Sequence, residues 1–389
     1  MLDKLPWDLA PQLPWHVFTS PTAKWAVQPS FVIGEYLFIA YAVLALGHAL
    51  AQGERRRQHV LAWVAALVAG TANDLIFMAL PLVDNFWQAQ ATIMLTPRLP
   101  LYIPCVYVCF MYFPTVAVWR LGLPLASAAA LSGLCGELFY APYDIVGAKF
   151  LWWTWHDTDL PIANRLLGAP VGSSMWVITF VFAFSLLLGT ALRKDPAASG
   201  RTIAKGLALT AGLSSLLMMV QMRPLQLFDG GMPGPRGLVA VIVVYLGLVA
   251  WGWRRRREPP ALLASERPPH DRPLRIMAIV YFCTLAGVMA TFDPATHRSA
   301  SMHQTYGPCH VEAKDIMGLV RYQYVCAEDF EEDYTFDCVE GRPEPYAEWY
   351  TVCGKAHSDF PRHMAGLAVL GALGVLIYGW LLRGAGRPR

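Results

Sequence analysis

Charge is scarce in this chain. Of its 389 residues only 15% are Asp, Glu, Lys or Arg, while 55% are hydrophobic. An ordinary soluble domain carries about 25% charged residues, so the composition excludes a soluble globular protein and points to a polytopic membrane protein. Other absences narrow the field. The C-x₂-C pairs of a zinc module are missing, as is the glycine-bearing spacing of an EF-hand. No internal repeat suggests a transporter built from inverted halves, and no single catalytic motif is diagnostic. No cleavable signal peptide is expected, because residues 1–30 are broken by Pro6, Pro11 and Pro14 and have no apolar core. With Trp7, Trp15 and Trp25, that stretch reads as an extracytoplasmic interfacial strap.

What is present is apolar length. Runs long enough to cross a bilayer, roughly 17 to 25 residues, lie near 31–50, 60–82, 99–119, 121–141, 171–192, 204–222, 237–253, 275–291 and 363–383. Nine helical spans are expected, giving an all-α membrane fold. The basic residues orient it. Arg55, Arg56, Arg57, Arg120, Arg193, Lys194, Arg201, Lys205, the run 254–257, Arg267, Arg272, Arg275, Arg383, Arg387 and Arg389 all fall in alternate connections or in the C-terminal tail. Basic loops stay cytoplasmic, which puts the N-terminus outside and the C-terminus inside. The expected organisation is a seven-helix core over 31–253, a basic cytoplasmic linker over 254–274, a helix over 275–291, an extracytoplasmic cap over 292–361, and a last helix with a basic tail over 362–389. The net charge of +3 reflects this asymmetry and gives no reason to expect nucleic acid. Oligomeric state is left open.

The outer connection 292–361 holds Cys309, Cys326, Cys338 and Cys353. On the far side of the membrane disulfides persist, so two are expected, in any of three pairings. No metal is expected, although His297, His303, His310 and His357 lie in the same stretch. The acidic run Glu328, Asp329, Glu331, Glu332 and Asp333 reads as a solvated face. Tyr322, Tyr324, Tyr334, Tyr346, Trp349 and Tyr350 are candidates for a small aromatic core. Cys105, Cys109, Cys135 and Cys283 fall within spans and are expected to be packing residues.

Acids inside spans are costly and so attract attention. Glu35, Asp74, Glu137 and Asp144 all fall at the outer ends of their spans, at a rise of 1.5 Å per residue, which predicts one shared polar cavity in the outer third of the membrane. Asn73, Arg98, Tyr102, Tyr140, Tyr143, Trp153, Trp155 and Asn164 are the expected substrate-binding residues around it. Arg98 is placed to neutralise an acid, and aromatic faces beside an acid suit a cationic or carbocationic centre. His48 lies at the other end of the first span and reads as an interface residue.

In order along residues 31–195 the chain resembles the membrane carotenoid-biosynthesis hydratases. The resemblance rests on Asn73-Asp74, on the proline-punctuated segment from Leu99 to Tyr107, on the order Asp144, Gly147, Trp153-Thr-Trp155, and on Pro161, Asn164, Gly168 and Pro170. The chain departs from the family at Asn73-Asp74 and at Asp84-Asn85-Phe86-Trp87, where that family has a glutamate and a Gly-aromatic segment, and in its four-cysteine loop. The resemblance implies a cofactor-free hydratase acting on an isoprenoid double bond. Asp144 or Glu137 would protonate the alkene, Asp74 would activate water, and Trp153 and Trp155 would wall the cation. A non-catalytic receptor or a cation- or proton-coupled transporter is the alternative. A bacterial inner membrane is the expected location.

Overall fold

A computed structural model describes residues 16–80, 82–83, 86–156, 158–194, 200–255, 270–302, 305–326 and 333–383. Expectations concerning residues 1–15, Asp84, Asn85, Asp195, the linker over 256–269, His303, the acidic residues 328–332, and Arg387 and Arg389 lie outside the described residues.

The chain is mostly helical. A short helix α1 (Pro21–Val27) is followed by α2 (Pro29–Leu50), α3 (Arg56–Ala79), α4 (Tyr102–Trp119), α5 (Leu125–Lys149), α6 (Val171–Lys194), α7 (Gly200–Gln226), α8 (Pro235–Arg254), α9 (Arg272–Thr291) and α10 (Phe360–Leu381). Several open with proline in the first turn, where the missing N–H costs nothing. At the start of α9 the Asp271 side chain accepts from Leu274 N at 3.3 Å. Among the described residues eight helices are long and apolar enough to cross a membrane: α2, α3, α4 and α6 to α10.

The fourth expected span needs correction. It was placed at 121–141, with Asp144 beyond its end, but α5 begins at Leu125 and runs through Pro142 to Lys149. A proline inside a helix removes one backbone bond; α5 tolerates it while packed against α4, α6, α8 and α10. Glu137, Asp144 and Lys149 are therefore helical, and α5 is absent from the eight apolar helices. At the centre stands α4, buried along almost its whole length between α2, α3 and α5. A helix apolar all round belongs in a core.

Short strands join connections between the helices. β1 (Phe86–Gln88) pairs antiparallel with β2 (Trp153–Trp155), β3 (Arg165–Leu166) with β4 (Ala169–Pro170), β5 (Arg298–Met302) with β8 (Trp349–Cys353), and β6 (Glu312–Lys314) with β7 (Val320–Tyr322). The disulfides are Cys309–Cys326 and Cys338–Cys353. The first staples the base of the β6–β7 hairpin; the second ties the end of β8 to the preceding loop. Of the expected aromatic core, Tyr334 and Tyr350 are buried in it with Tyr306 and Val352, whereas Tyr346 is exposed. Cys105, Cys109 and Cys135 are buried, but Cys283 faces outward from α9.

The cap is anchored to the bundle by a salt bridge from Lys149 to Asp333, 2.7 Å long. Burial alone would raise the Asp333 carboxyl, but Lys149, with His357 and Arg165, outweighs it and holds the group below the usual carboxylate range.

Candidate functional site

The ends of α3 to α7 nearest the cap enclose a cavity of about 190 Å³, room for on the order of a dozen water-sized positions. Helical spacing builds its walls. Asn73, Asp74 and Phe77 come from α3 with Leu80 just past its end, and Ile103, Val106, Tyr107 and Phe110 from α4. Met218, Met219, Met222, Arg223 and Gln226 come from α7. Steps of three, four and seven keep each set on one helix face. Tyr140 and Tyr143 of α5 and Ser173 and Trp176 of α6 complete the helical wall.

The β1–β2 pair supplies the remaining side. Residues on a strand alternate between faces, so Phe86 and Gln88, opposite Trp155 and Trp153, face the cavity together. Trp87 turns the other way, into the cluster with Leu151 and Tyr350. The chain reaches β2 through a tight reversal after α5, where Leu151 takes a left-handed φ of 57°. Trp152 N donates to Gly147 O at 2.8 Å across it. A Cβ at residue 147 would overlap the Trp153 ring, so Gly147 lets that ring lie against α5.

One end of the cavity is a hydrogen-bonded chain. Tyr107 donates its hydroxyl hydrogen to Asp74 Oδ1 and accepts from Asn73 Nδ2 at 3.2 Å, while Ser215 donates to Asn73 Oδ1 at 2.9 Å. Gly70 permits this approach, because a Cβ there would overlap Tyr107. Among the described residues only Tyr107 bonds the Asp74 side chain. From Tyr107 an arc of rings runs along the wall: Trp176 at 6.0 Å, then Tyr140 at 6.4 Å, Tyr143 at 5.3 Å and Trp153 at 4.6 Å.

The mouth is less finished. Arg223, Ile316 and Met317 line it and are exposed. Trp155 Nε1 and Gln226 Oε1 are buried without a hydrogen-bond partner among the described residues. Over the mouth hangs the turn between β6 and β7. Asp315 Oδ1 accepts from Met317 N at 2.8 Å and Leu319 N at 2.9 Å. Arg321 holds the hairpin down, donating to Asp315 Oδ2 at 2.8 Å and Asp159 Oδ2 at 3.0 Å. All three side chains of that ion cluster are buried.

Six of the expected site residues line the cavity: Asn73, Asp74, Tyr140, Tyr143, Trp153 and Trp155. Tyr102 stands behind the wall, donating to Gln88 Oε1 at 2.7 Å. The expectation that four acids share one cavity is not met. Glu35 accepts from the Thr92 hydroxyl at 2.7 Å, Thr92 N at 3.0 Å and Ile93 N at 3.3 Å, pinning the loop before α4. Glu137 and Asp144, two helical turns apart on α5, bond Ser174 and Ser173 in the first turn of α6. Oxygens of both, Glu137 Oε2 and Asp144 Oδ1, are left without a partner among the described residues. Arg98 neutralises no acid in the cavity; it donates to Met78 O at 3.3 Å and so caps the end of α3. Asn164 donates to Pro233 O at 2.9 Å, joining the α5–α6 connection to the α7–α8 connection. Ser215, Arg223 and Arg321 were not expected at the site. The pair Ser214-Ser215 inside an apolar run was the available signal for one of them.

Among the described residues no three His, Cys, Asp or Glu side chains come together as a metal-binding set.

The sequence matches the family model described as Domain of unknown function (DUF7802) over residues 15–195 and 235–381. The chain belongs to that family. The two matched stretches contain Asp74, the aromatic arc and the cap, and the α7 wall with Arg223 lies between them. No curated protein and no solved structure matches the chain. Nothing in these comparisons links it to the carotenoid hydratases.

Proposed function

We propose that this chain is an integral membrane protein that binds a lipid-soluble molecule in the cavity between α3 and α7. In this reading all nine long helices span the bilayer, α5 shielded from lipid by its neighbours. The N-terminal segment and the cap lie outside. The alternation of basic connections supports that orientation, and two disulfides suit an oxidising far side such as that of a bacterial inner membrane.

The cavity itself carries the proposal. It is walled by aromatic and methionine side chains, has one hydrogen-bonding end at Asp74, and opens beside exposed apolar residues. Ligand sites are of this kind: apolar walls with a few placed polar groups, and methionines adapt to a guest's shape. Native mass spectrometry of the purified protein tests it. Wild type should carry a bound lipid-soluble species that Met222→Trp, which fills the mouth, removes without changing elution or helicity. Equal retention by the variant would refute the reading.

Hydration of an isoprenoid double bond is the second reading, favoured by the contact of the Asp74 carboxyl with a tyrosine hydroxyl beside an aromatic wall. It calls for a second carboxyl on the wall, and Asp144 stands one side chain back, behind Ser173. Expression in lycopene-making cells tests it: a product heavier by one water, lost in Asp74→Asn, is the expected signature, and unchanged pigments would count against it.

A further inference from the structure

The cavity wall carries two ionisable groups that have no oppositely charged partner among the described residues. Asp74 has only the Tyr107 hydroxyl, and Arg223 has no ion pair or hydrogen bond among the described residues. The hydrogen bond from Ser215 to Asn73 sets the register between α3 and α7. Arg223 stands eight residues further along α7, about 12 Å toward the mouth, and the stem of an arginine brings its head part of the way back. The two groups are therefore held apart along the cavity instead of closing on each other. The aromatic arc from Tyr107 to Trp153 lines the same cavity.

Ring faces beside a carboxyl group form the environment that recognises an ammonium ion, through the quadrupole of the rings and the nearby acid. Arginine at the rim is the residue of choice for a phosphate. The other guanidinium at the mouth, Arg321, is already taken by Asp315 and Asp159, which leaves Arg223 for an anion. Resting on the proposed cavity binding, we propose that the ligand is a zwitterionic phospholipid. Its ammonium sits within the aromatic arc opposite Asp74, its phosphate lies at Arg223, and its acyl chains leave past Met219 and Met222 into the bilayer. Trp155 Nε1 and Gln226 Oε1, unpartnered beside the mouth, supply a donor and an acceptor to the same headgroup. No bond is made or broken.

The test offers the purified, delipidated full chain an equimolar mixture of dioleoyl phosphatidylcholine, phosphatidylethanolamine, phosphatidylglycerol and diacylglycerol, read by native mass spectrometry. Adducts of the two ammonium lipids should exceed the others by roughly tenfold. Asp74→Asn should bring them down to the phosphatidylglycerol level, and Arg223→Gln should bring them toward diacylglycerol. Selectivity that survives Asp74→Asn overturns the assignment. Displacement of bound lipid by millimolar phosphocholine alone overturns the lipid as the source of the headgroup. Equal uptake of all four lipids that Met222→Trp abolishes overturns the headgroup and leaves cavity binding intact; uptake that Met222→Trp does not alter overturns both.

Discussion

Two tyrosines on α4 sit among buried polar groups and do opposite things. Toward the cap, Tyr107 joins Asp74, Asn73 and Ser215 in a chain whose far side is a cavity. Toward the other end, the Tyr112 hydroxyl lies 2.8 Å from His48 Nδ1 and 3.1 Å from His59 Nδ1, and His48 Nε2 reaches Asp271 at 3.0 Å. Burial alone would raise the Asp271 carboxyl, but the bond to His48 and the charge of Arg120 hold it below its usual range. Each of the His48, His59, Tyr112 and Asp271 side chains has at least one hydrogen-bond partner, and none of their atoms is fully buried and unpartnered among the described residues. His48 is thus no interface residue but part of a closed buried cluster that ties α2, α3 and α4 to the start of α9. A closed polar network secures architecture; an open one leaves groups for a guest.

The sharpest test of that contrast is at the rim, where the Arg321 cluster is as closed as the one around Tyr112. Arg321→Met should strand two buried carboxylates, Asp159 and Asp315, and cost about 3–5 kcal/mol, seen as a large fall in thermal midpoint; a shift within error would show that the cluster is not a closed network. Next comes the staple. Cys338→Ser opens a loop of 15 residues and should cost about 3 kcal/mol, whereas Cys109→Ala, deep in α4, should lower the midpoint far less. Equal losses would break the distinction between cap and core.

A comparable effect should follow pH. His297 lies between α9 and the cap, with Nε2 at 2.8 Å from Ser30 Oγ. Burial pushes its pKa down to about 4, so the folded chain holds it neutral while the unfolded chain protonates near 6.5. Its stability contribution is whole above pH 6.5 and lost as pH falls from there toward 4, a change of up to about 3 kcal/mol. His297→Asn should flatten the stability profile in that window; an unaltered slope would point to another titrating group.

The smallest effect discriminates best. Tyr112→Phe should cost about 1–3 kcal/mol, because it strips a partner from two buried histidines. Tyr107→Phe should cost about 1 kcal/mol, since its partners face a cavity that water can enter. Binding should reverse the order, with Tyr107→Phe weakening retention of bound lipid and Tyr112→Phe leaving it alone. The same ranking in both assays would erase the comparison.

Much of the architecture could be read from periodicity and charge. The apolar runs mark the helices to within a few residues. The exception is α5: Glu137, Asp144 and Lys149 hide its second half, which packs against neighbouring helices. The acids illustrate the limit at the site. Position along a helix is legible from sequence, but azimuth is not, and Glu35, Asp74, Glu137 and Asp144 face different neighbours. Of the four, Asp74 alone lines the cavity, in a register that Tyr107 of α4 and Ser215 of α7 set from other parts of the chain. Arg223 and Arg321 were beyond reach, because nothing local says that a hairpin of the cap and the end of α7 meet above β1 and β2.

The pairing of β1 with β2 also bears on how the molecule is made. Gln88 and Trp153, side by side on the cavity wall, come from connections separated in the chain by α4 and α5, and Gln90 N donates onward to Ala300 O of β5 at 2.8 Å. In the proposed topology these segments cross the membrane at different moments of synthesis. The wall therefore has no existence until α5 has been inserted and the chain beyond it delivered to the far side, and the roof follows only once α9 has carried β5 across. In that topology the proposed binding site is completed late, after the helices α3 to α7 that frame it are in place.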